Sequence, residues 1–360
     1  MTATSKSPAS TRVSAAALEA FVKRALVATR LPEKDAARVA VLMTRADLIG
    51  ADNHGVFRLP QYVERIHKGG MNVKPAVRVI RESAGMALVD GDNGMGHLVM
   101  DFATRVAMDK AATSGVAWVG ARCSNHAGPA ALYAEMPLER DMIGLYIAVG
   151  NANHMAPWGG TALLLSTNPI AVAVPAFEEP PIVLDMATSV AAYGKVKGAA
   201  SRGETMPEGW MIDRQGRPIT DPQLAAEGSL LPIGGPKGYG LALVFSLLAG
   251  VLNGAAVGRD TIDFNADQIS PTNTGHLIVA ISLAAFGDAT EFKRNVDRVI
   301  RDLRASPTLP GVAAVRVPGE RSHGVRIERE REGIPLHGTL LARLDALAAS
   351  LGVPGVLAKS

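Results

Sequence analysis

Three clusters of polar residues carry the side chains in this sequence that could do chemistry. The run Arg122-Cys123-Ser124-Asn125-His126-Ala127-Gly128 sets a histidine just beyond the apolar stretch 115–120, with small residues behind it. Far upstream lies Asp52-Asn53-His54-Gly55-Val56-Phe57-Arg58-Leu59-Pro60-Gln61-Tyr62, and far downstream Gly234-Gly235-Pro236-Lys237-Gly238-Tyr239-Gly240. An imidazole titrates at about 6.5, which suits proton donation to a developing alkoxide near neutrality. A guanidinium grips a carboxylate with two parallel hydrogen bonds. Backbone N–H groups at a helix start favour anions, and a lysine there adds a point charge. Two imidazoles, a fixed cation and a glycine-flanked lysine form a kit for reducing a carbonyl beside a carboxylate. Each cluster also has a plainer reading: a loop histidine bonded to backbone, a solvated helix face, a turn that lets a helix pack closely.

If a helix begins near residue 54, His54 and Arg58 share a face and Tyr62 extends it by a turn. Asp185-Met186-Ala187-Thr188-Ser189 reads as a strand-to-helix junction with Asp185 as the helix cap. Residues 166–169 look like a turn, and Pro157-Trp158-Gly159-Gly160 either packs beside a ligand or ends a strand. Cys123 precedes His126 by three residues, but no further ligands follow at metal spacing, so no metal is expected. The lysine loop is not a phosphate-binding P-loop, because Gly238 follows Lys237. No G-x-G-x-x-G follows a strand, and residues 91–96 have the wrong spacing. A dinucleotide would need a different architecture from the usual Rossmann turn.

The length of 360 residues predicts about two domains with a sizeable core. A net charge of +3 is spread along the chain without a dense basic block, which argues against nucleic acid or a membrane surface as partner. The single cysteine excludes an internal disulfide and fits a reducing compartment. The first ten residues lack the apolar stretch of a secretory signal. The greasiest segment, 241–257, is shorter than the ~20 residues of a membrane span. These points predict a cytoplasmic protein.

The positioning elements follow from periodicity. Residues 1–12 read as a disordered tail. Ser14 caps a helix through Leu18, Phe21, Val22, Ala25 and Leu26; Pro32 opens a second that stops near Gly50, and a third covers 59–67. Residues 77–81 and 86–90 read as a hairpin. A helix over 96–114 and a strand over 116–121 lead into the His126 loop. Further strands are predicted at 142–149, 170–174, 182–185 and 277–283, and further helices at 188–200, 237–251, 289–305 and 336–351. The pattern divides the chain into a helical terminal domain, 13–75 with 325–358, and a sheet-containing domain for cofactor and substrate, 76–324.

As a set, residues 52–62, 124–128, 157–160, 167–169, 185–189 and 234–240, with Gly203-Glu204, Pro207-Glu208-Gly209-Trp210 and Thr220-Asp221-Pro222, resemble the malate/L-lactate dehydrogenase family that lacks a Rossmann domain. The resemblance covers about 14–355. That family includes ureidoglycolate, sulfolactate and diketogulonate-type enzymes and cyclic-imine carboxylate reductases. It implies an α/β (α+β) fold: a non-Rossmann, largely antiparallel cofactor sheet plus a helical domain built from both termini. It implies a homodimer that uses NAD or NADP to move hydride between nicotinamide and C2 of a small 2-hydroxy or 2-oxo acid. By position, His126 and His54 correspond to catalytic residues, and Asn53, Arg58 and Tyr62 to substrate-binding ones. Gly150, Asn151, Asp185, Met186, Ala187 and Lys237 correspond to cofactor contacts. The chain departs from the family at Asn53, usually Ser, at Ala127, usually aromatic, at Pro236, where several members have His or Tyr, and at Ser166, usually Gly. Two other readings stand beside this one: a reductase of a cyclic imine carboxylate, and an inactive relative that binds a nucleotide or small acid.

Overall fold

The computed structural model describes residues 10–358, so most of the expected tail lies outside the described residues. The chain forms two compact units, one made of the residues up to Lys74 with those from Glu320, the other of Pro75–Gly319. The first stretch of the discontinuous unit holds β1 (Thr11–Val13), α1 (Ala15–Ala28), α2 (Glu33–Leu48) and α3 (Leu59–His67). Ser14 starts α1 by accepting the Ala17 amide at 3.2 Å. Leu18, Phe21 and Val22 of α1 and Val39, Ala40 and Met43 of α2 are buried, and the two helices pack together.

The second unit carries β2 (Arg78–Ser83), β3 (Met86–Asp90), α4 (Gly96–Ser114), β4 (Val116–Ser124), α5 (Ala131–Ala134), β5 (Met142–Ala148), β6 (Asn153–Met155), β7 (Leu165–Ser166), β8 (Ile170–Val174) and β9 (Ile182–Met186). There follow α6 (Tyr193–Arg202), β10 (Met211–Asp213), β11 (Gly228–Leu230), α7 (Pro236–Phe245), β12 (Thr274–Ser282) and α8 (Ala289–Arg304). Seven strands form one sheet in the order β2-β3-β4-β12-β5-β8-β9. Only β3 and β4 run parallel, joined across α4; every other neighbouring pair is antiparallel. This is not the parallel sheet of a Rossmann domain, in keeping with the missing glycine fingerprint.

Strand alternation assigns the faces. Ile147, Leu277 and Val279 pack with Phe245 and Ala249 on the α7 side. Tyr146, His276 and Ile278 therefore point to the opposite side, where α4 contacts β4 and β12. A second cluster, including Met155, Leu165, Val196, Met211 and Leu230, ties the hairpins β6–β7 and β10–β11 to α6.

Two expected helices differ. Residues 187–192 are irregular, bent at Thr188, Val190 and Ala191 with Ser189 bridging to Pro232, so the helix expected over 188–200 begins only at Tyr193. The helix expected over 237–251 is α-helical only to Phe245; a wider π-type turn, Ser246–Gly250, and a 3₁₀ turn, Val251–Asn253, follow.

The chain then re-enters the first unit with α9 (Glu320–Glu332), β13 (Ile334–Leu336) and α10 (Gly338–Leu351). β1 pairs antiparallel with β13, Thr11 opposite Leu336 and Arg12 opposite Pro335. Residues 11 and 12 are thus ladder residues and not tail, and Arg12 adds a 2.9 Å bond to the Gly333 carbonyl. Leu336 belongs to this strand, so the last helix starts two residues later than the pattern predicts.

Candidate active site

In the second unit the strand directions bring the candidate residues to one end of the seven-stranded sheet. Ser124 at the close of β4 lies opposite Thr274 at the start of β12, and His276 lies opposite Ala148 at the close of β5. Ile147 pairs with Ile170 at the start of β8, which pairs with Met186 at the close of β9. His126, Gly150, Asn151, Asp185, Met186 and Ala187 therefore leave the sheet at the same end.

The His126 loop is clamped. Cys123 takes a left-handed backbone, φ 49°, and its amide donates to Asn273 Oδ1 at 2.8 Å. Asn125 is fully buried; its Nδ2 donates to the Asn93 carbonyl at 3.1 Å and to Gly94 O at 3.0 Å, and its Oδ1 accepts from Thr272 at 3.1 Å. Tyr133 donates to the Ala127 carbonyl at 2.5 Å. The His126 ring stacks on Phe264 with centroids 5.5 Å apart, and its Nδ1 receives the Gly128 amide at 3.4 Å. Phe264 is itself anchored by its amide to the Asn151 carbonyl at 2.9 Å.

The start of α4 braces this loop from below. A Cβ on Gly96 would overlap the carbonyl groups of Asn125 and His126. Gly96→Ala must push α4 or the loop aside, and overpacking of this kind costs about 1–3 kcal/mol. We expect a lower urea midpoint at unchanged slope, with turnover falling alongside. An unchanged midpoint would show that the helix start does not brace the loop.

The candidate cofactor residues sit on the same frame. The Gly150 amide donates to Asn168 Oδ1 at 3.0 Å, and Asn151 Nδ2 donates to Thr274 at 2.5 Å. Asn168, fully buried, also reaches the Ala242 carbonyl and Ser246 Oγ at 2.7 Å each, tying this turn to α7. Asp185 does not cap the helix after it, which starts eight residues later. It accepts the Ala131 amide of α5 at 2.9 Å instead. Asp185 keeps one side open to water; protein packed around the rest pushes its carboxyl up to about 6, against the pull of that amide. The lysine turn joins the same region, since the Ile233 amide donates to Thr188 O at 2.9 Å. Gly234 and Gly235 take left-handed φ of 58° and 62°, Trp158 lies against Gly235, and Lys237 is exposed in the first turn of α7.

In the first unit, the 52–58 motif is not one helix. Two 3₁₀ turns, Asp52–His54 and Val56–Arg58, are separated by Gly55 in a non-helical conformation, φ −89° and ψ −138°, so the expected shared face of His54 and Arg58 is interrupted. Asp47 on α2 explains the break. Its Oδ2 accepts the Val56 amide at 2.8 Å, and a Cβ on Gly55 would overlap that carboxylate. Arg329 on α9 bonds the Asp47 carbonyl and pairs with Asp52, holding the motif from the other side. Arg58 Nε donates to Asn53 O at 2.9 Å and Nη1 to Gln61 at 2.8 Å, both neutral acceptors. Burial, and then the Arg58 charge, lower His54 to about 4, so it is neutral at pH 7. Tyr62 is fully buried, and burial raises its phenol. Asn53 is exposed.

Sequence reading misses Phe264, Tyr146 and His276, which lie on distant strands and loops with no motif of their own, and it gives no separate role to Ser124 and Asn168, which fall inside quoted motifs; only the fold brings them together.

The comparisons follow this geometry. A description of the malate/L-lactate dehydrogenase family matches residues 13–345. The chain is 37% identical over 348 residues to a malate dehydrogenase of Pyrococcus horikoshii, covering 94% of this chain and 95% of the relative. It is 32% identical over 325 residues to a ureidoglycolate dehydrogenase (NAD(+)) of Escherichia coli O157:H7, covering 90% and 92%. The solved sulfolactate dehydrogenase of Methanocaldococcus jannaschii superposes with a TM-score of 0.88 at 35% identity, covering 96% of this chain and 98% of that one. With a matching family description over most of its length and a shared antiparallel core, the chain belongs to the malate/L-lactate dehydrogenase family.

Proposed function

We propose that this protein uses NAD or NADP to move a hydride between nicotinamide and C2 of a small 2-hydroxy or 2-oxo acid. The observation that carries the reading is the convergence of a clamped, ring-stacked His126 with the Asn151 and Asp185–Ala187 segments at one end of a non-Rossmann sheet. Membership of a dehydrogenase family supports the oxidoreductase class, and the ureidoglycolate relative's name supports NAD. Malate, sulfolactate and ureidoglycolate share a carboxylate beside a hydroxyl-bearing carbon, which supports the substrate class.

The donor set suits a dinucleotide. A glycine turn enters the ten-residue helix α7, Lys237 adds a cation in its first turn, and Asp185 offers a carboxylate. Gly150, Asn151, Met186 and Ala187 supply the neighbouring turns. When bound, the nicotinamide supplies the hydride for reduction or accepts it in oxidation.

The chain's own residues do the rest. Arg58 binds the substrate carboxylate through its planar fork and orients the carbonyl. His54, neutral at working pH, hydrogen-bonds the substrate without adding charge. Asn53 shapes the substrate's surroundings, and buried Tyr62 completes the substrate-binding set with Arg58. His126 exchanges a proton with the substrate oxygen through Nε2, since Nδ1 faces the Gly128 amide.

We also infer a homodimer. Leu241, Val244, Leu247, Val251 and Leu252 are exposed at helical spacing on α7 and the turns after it, an apolar stripe that a second copy would cover. No described helix is long and apolar enough to cross a membrane. The lone cysteine supports a cytoplasmic setting.

The test is a panel of oxaloacetate, pyruvate and piperideine-2-carboxylate, each with NADH and NADPH, following nicotinamide absorbance. Turnover of an acyclic 2-oxo acid is the expected result. Turnover of the cyclic imine alone would replace the proposal with the imine reductase reading. No turnover with any of them would point to an inactive binding relative.

A further inference from the structure

Behind the His126 loop lies a chain of buried polar groups that the reaction above does not use. Tyr146 on β5 is 2.7 Å from Nδ1 of His276 on β12, and Nε2 of His276 is 3.0 Å from Ser124 Oγ on β4. All three side chains are essentially inaccessible to water. Ser124 Oγ in turn donates to the Asn125 carbonyl at 3.4 Å. With its proton given to that carbonyl, Ser124 Oγ accepts from the ring, so the ring proton sits on Nε2 and Nδ1 accepts from the Tyr146 hydroxyl. The tautomer is fixed by the partners on both sides.

The placement of this imidazole depends on an irregularity in β12. Its register against β4 shifts between Thr274 and His276. A bulge of this kind turns a side chain away from where regular pairing would put it. At Gly275, inside the shift, a Cβ would overlap the Ala249 carbonyl, so the backbone passes too close for any other residue. Burial lowers His276 to about 4, so it is a neutral hydrogen-bonding group and brings no positive charge near His126.

We propose that His276 is a positioning residue for the reaction: its Nε2–H holds Ser124 Oγ, and through it the Asn125 carbonyl and the plane of the Asn125–His126 peptide, so that the His126 ring is presented at a fixed angle. The other clamps on this loop grip the Cys123 amide, the Ser124 carbonyl, the Asn125 side chain or the Ala127 carbonyl. His276, through Ser124 Oγ, grips the peptide link that leads directly into His126. A rotation there moves the acid–base nitrogen without unfolding anything, and a displacement of about 1 Å at a reacting group can cost on the order of 100-fold in rate. The proposal rests on the proton-exchange role given to His126.

Two substitutions separate the arms of the ring. In His276→Gln the side-chain amide nitrogen reaches the Nε2 position and still donates to Ser124 Oγ. In His276→Asn the shorter amide takes over the Nδ1 contact with Tyr146 and leaves Ser124 Oγ, and with it the Asn125 carbonyl, without that support. We expect the Asn variant to lose roughly 10- to 100-fold in kcat, while cofactor affinity and KM change little. The Gln variant should keep kcat within about threefold of the parent. Tyr146→Phe should resemble the Gln variant.

Equal kcat in the Asn and parent proteins would overturn the proposal. So would an equal loss in Asn and Gln variants accompanied by weakened cofactor binding and a lowered melting temperature, which would mark His276 as core packing only. His126→Ala, measured alongside, separates this proposal from the reading it rests on. If that variant keeps full turnover, the role of His126 fails, whatever His276 does.

Discussion

His126→Ala is expected to lower kcat by about 10²- to 10⁴-fold, the usual worth of a positioned general acid–base, while leaving cofactor affinity unchanged. The split follows from the surroundings of the ring. His126 touches Phe264 and the Gly128 amide, and the loop that carries it is held by Asn125, Tyr133 and the α4 start, none of which needs the imidazole. Removing the ring therefore deletes a proton donor from a frame that persists. Stopped-flow absorbance reads the chemical step, and quenching of protein fluorescence on NADH addition reads binding. The limb of the pH–rate profile that reports this imidazole should vanish with it. Full turnover in the variant would remove His126 from the mechanism, and lost cofactor affinity with normal kcat would reassign it as a binding group.

Arg58→Ala is expected to lower kcat/KM by about 10²- to 10³-fold, in line with truncating one side of a desolvated charged pair, worth ~2–5 kcal/mol. The guanidinium is oriented before any substrate arrives: Nε is spent on the Asn53 carbonyl, Nη1 on Gln61, and the plane packs on Phe57 at 5.7 Å. Arg343 lies over the same Phe57 ring at 5.2 Å, so a second cation crowds this spot. Burial lowers the Arg58 pKa, as it does for a cation short of water, which is the condition in which a carboxylate ligand gains most. Arg58→Lys keeps the charge but loses the fork, and should recover only part of the loss. Steady-state kinetics on the substrate found by the panel provides the measurement. A substrate amide in place of the carboxylate should be turned over equally poorly by parent and variant. If both variants match the parent, the carboxylate is held elsewhere.

What could be read from the sequence was mostly what local periodicity encodes. α3 and α4 run over the residues that their apolar spacing and glycine stops predict, Leu59–His67 and Gly96–Ser114. β3 and β8 also have their expected limits. α9 was invisible because Glu320–Glu332 is charged on every side and buries none of its residues. β1 and β13 are three residues each, and they exist only because they find one another across the length of the chain. The break at Gly55 comes from Asp47, eight residues earlier on another helix, and no i, i+4 count could reveal it. The same division holds for the site. His126 stood out by its position after an apolar strand. Tyr146 and His276 did not, since such side chains on interior strands read as ordinary core until the strand order is known, and Phe264 did not because it sits in a loop turn with no pattern around it.

The discontinuity of the helical unit has a consequence for the order in which the protein matures on the ribosome. Pro75–Gly319 is one unbroken stretch and has its partners as soon as it has been made. The segment with Arg58 must wait, because Arg329, the β13 strand and α10 emerge only about 270 residues later or more, and contacts of such long sequence separation form slowly. The nascent chain therefore has its sheet unit complete while the segment with Arg58 still lacks α9, β13 and α10, and these pack on α1, α2 and α3 last.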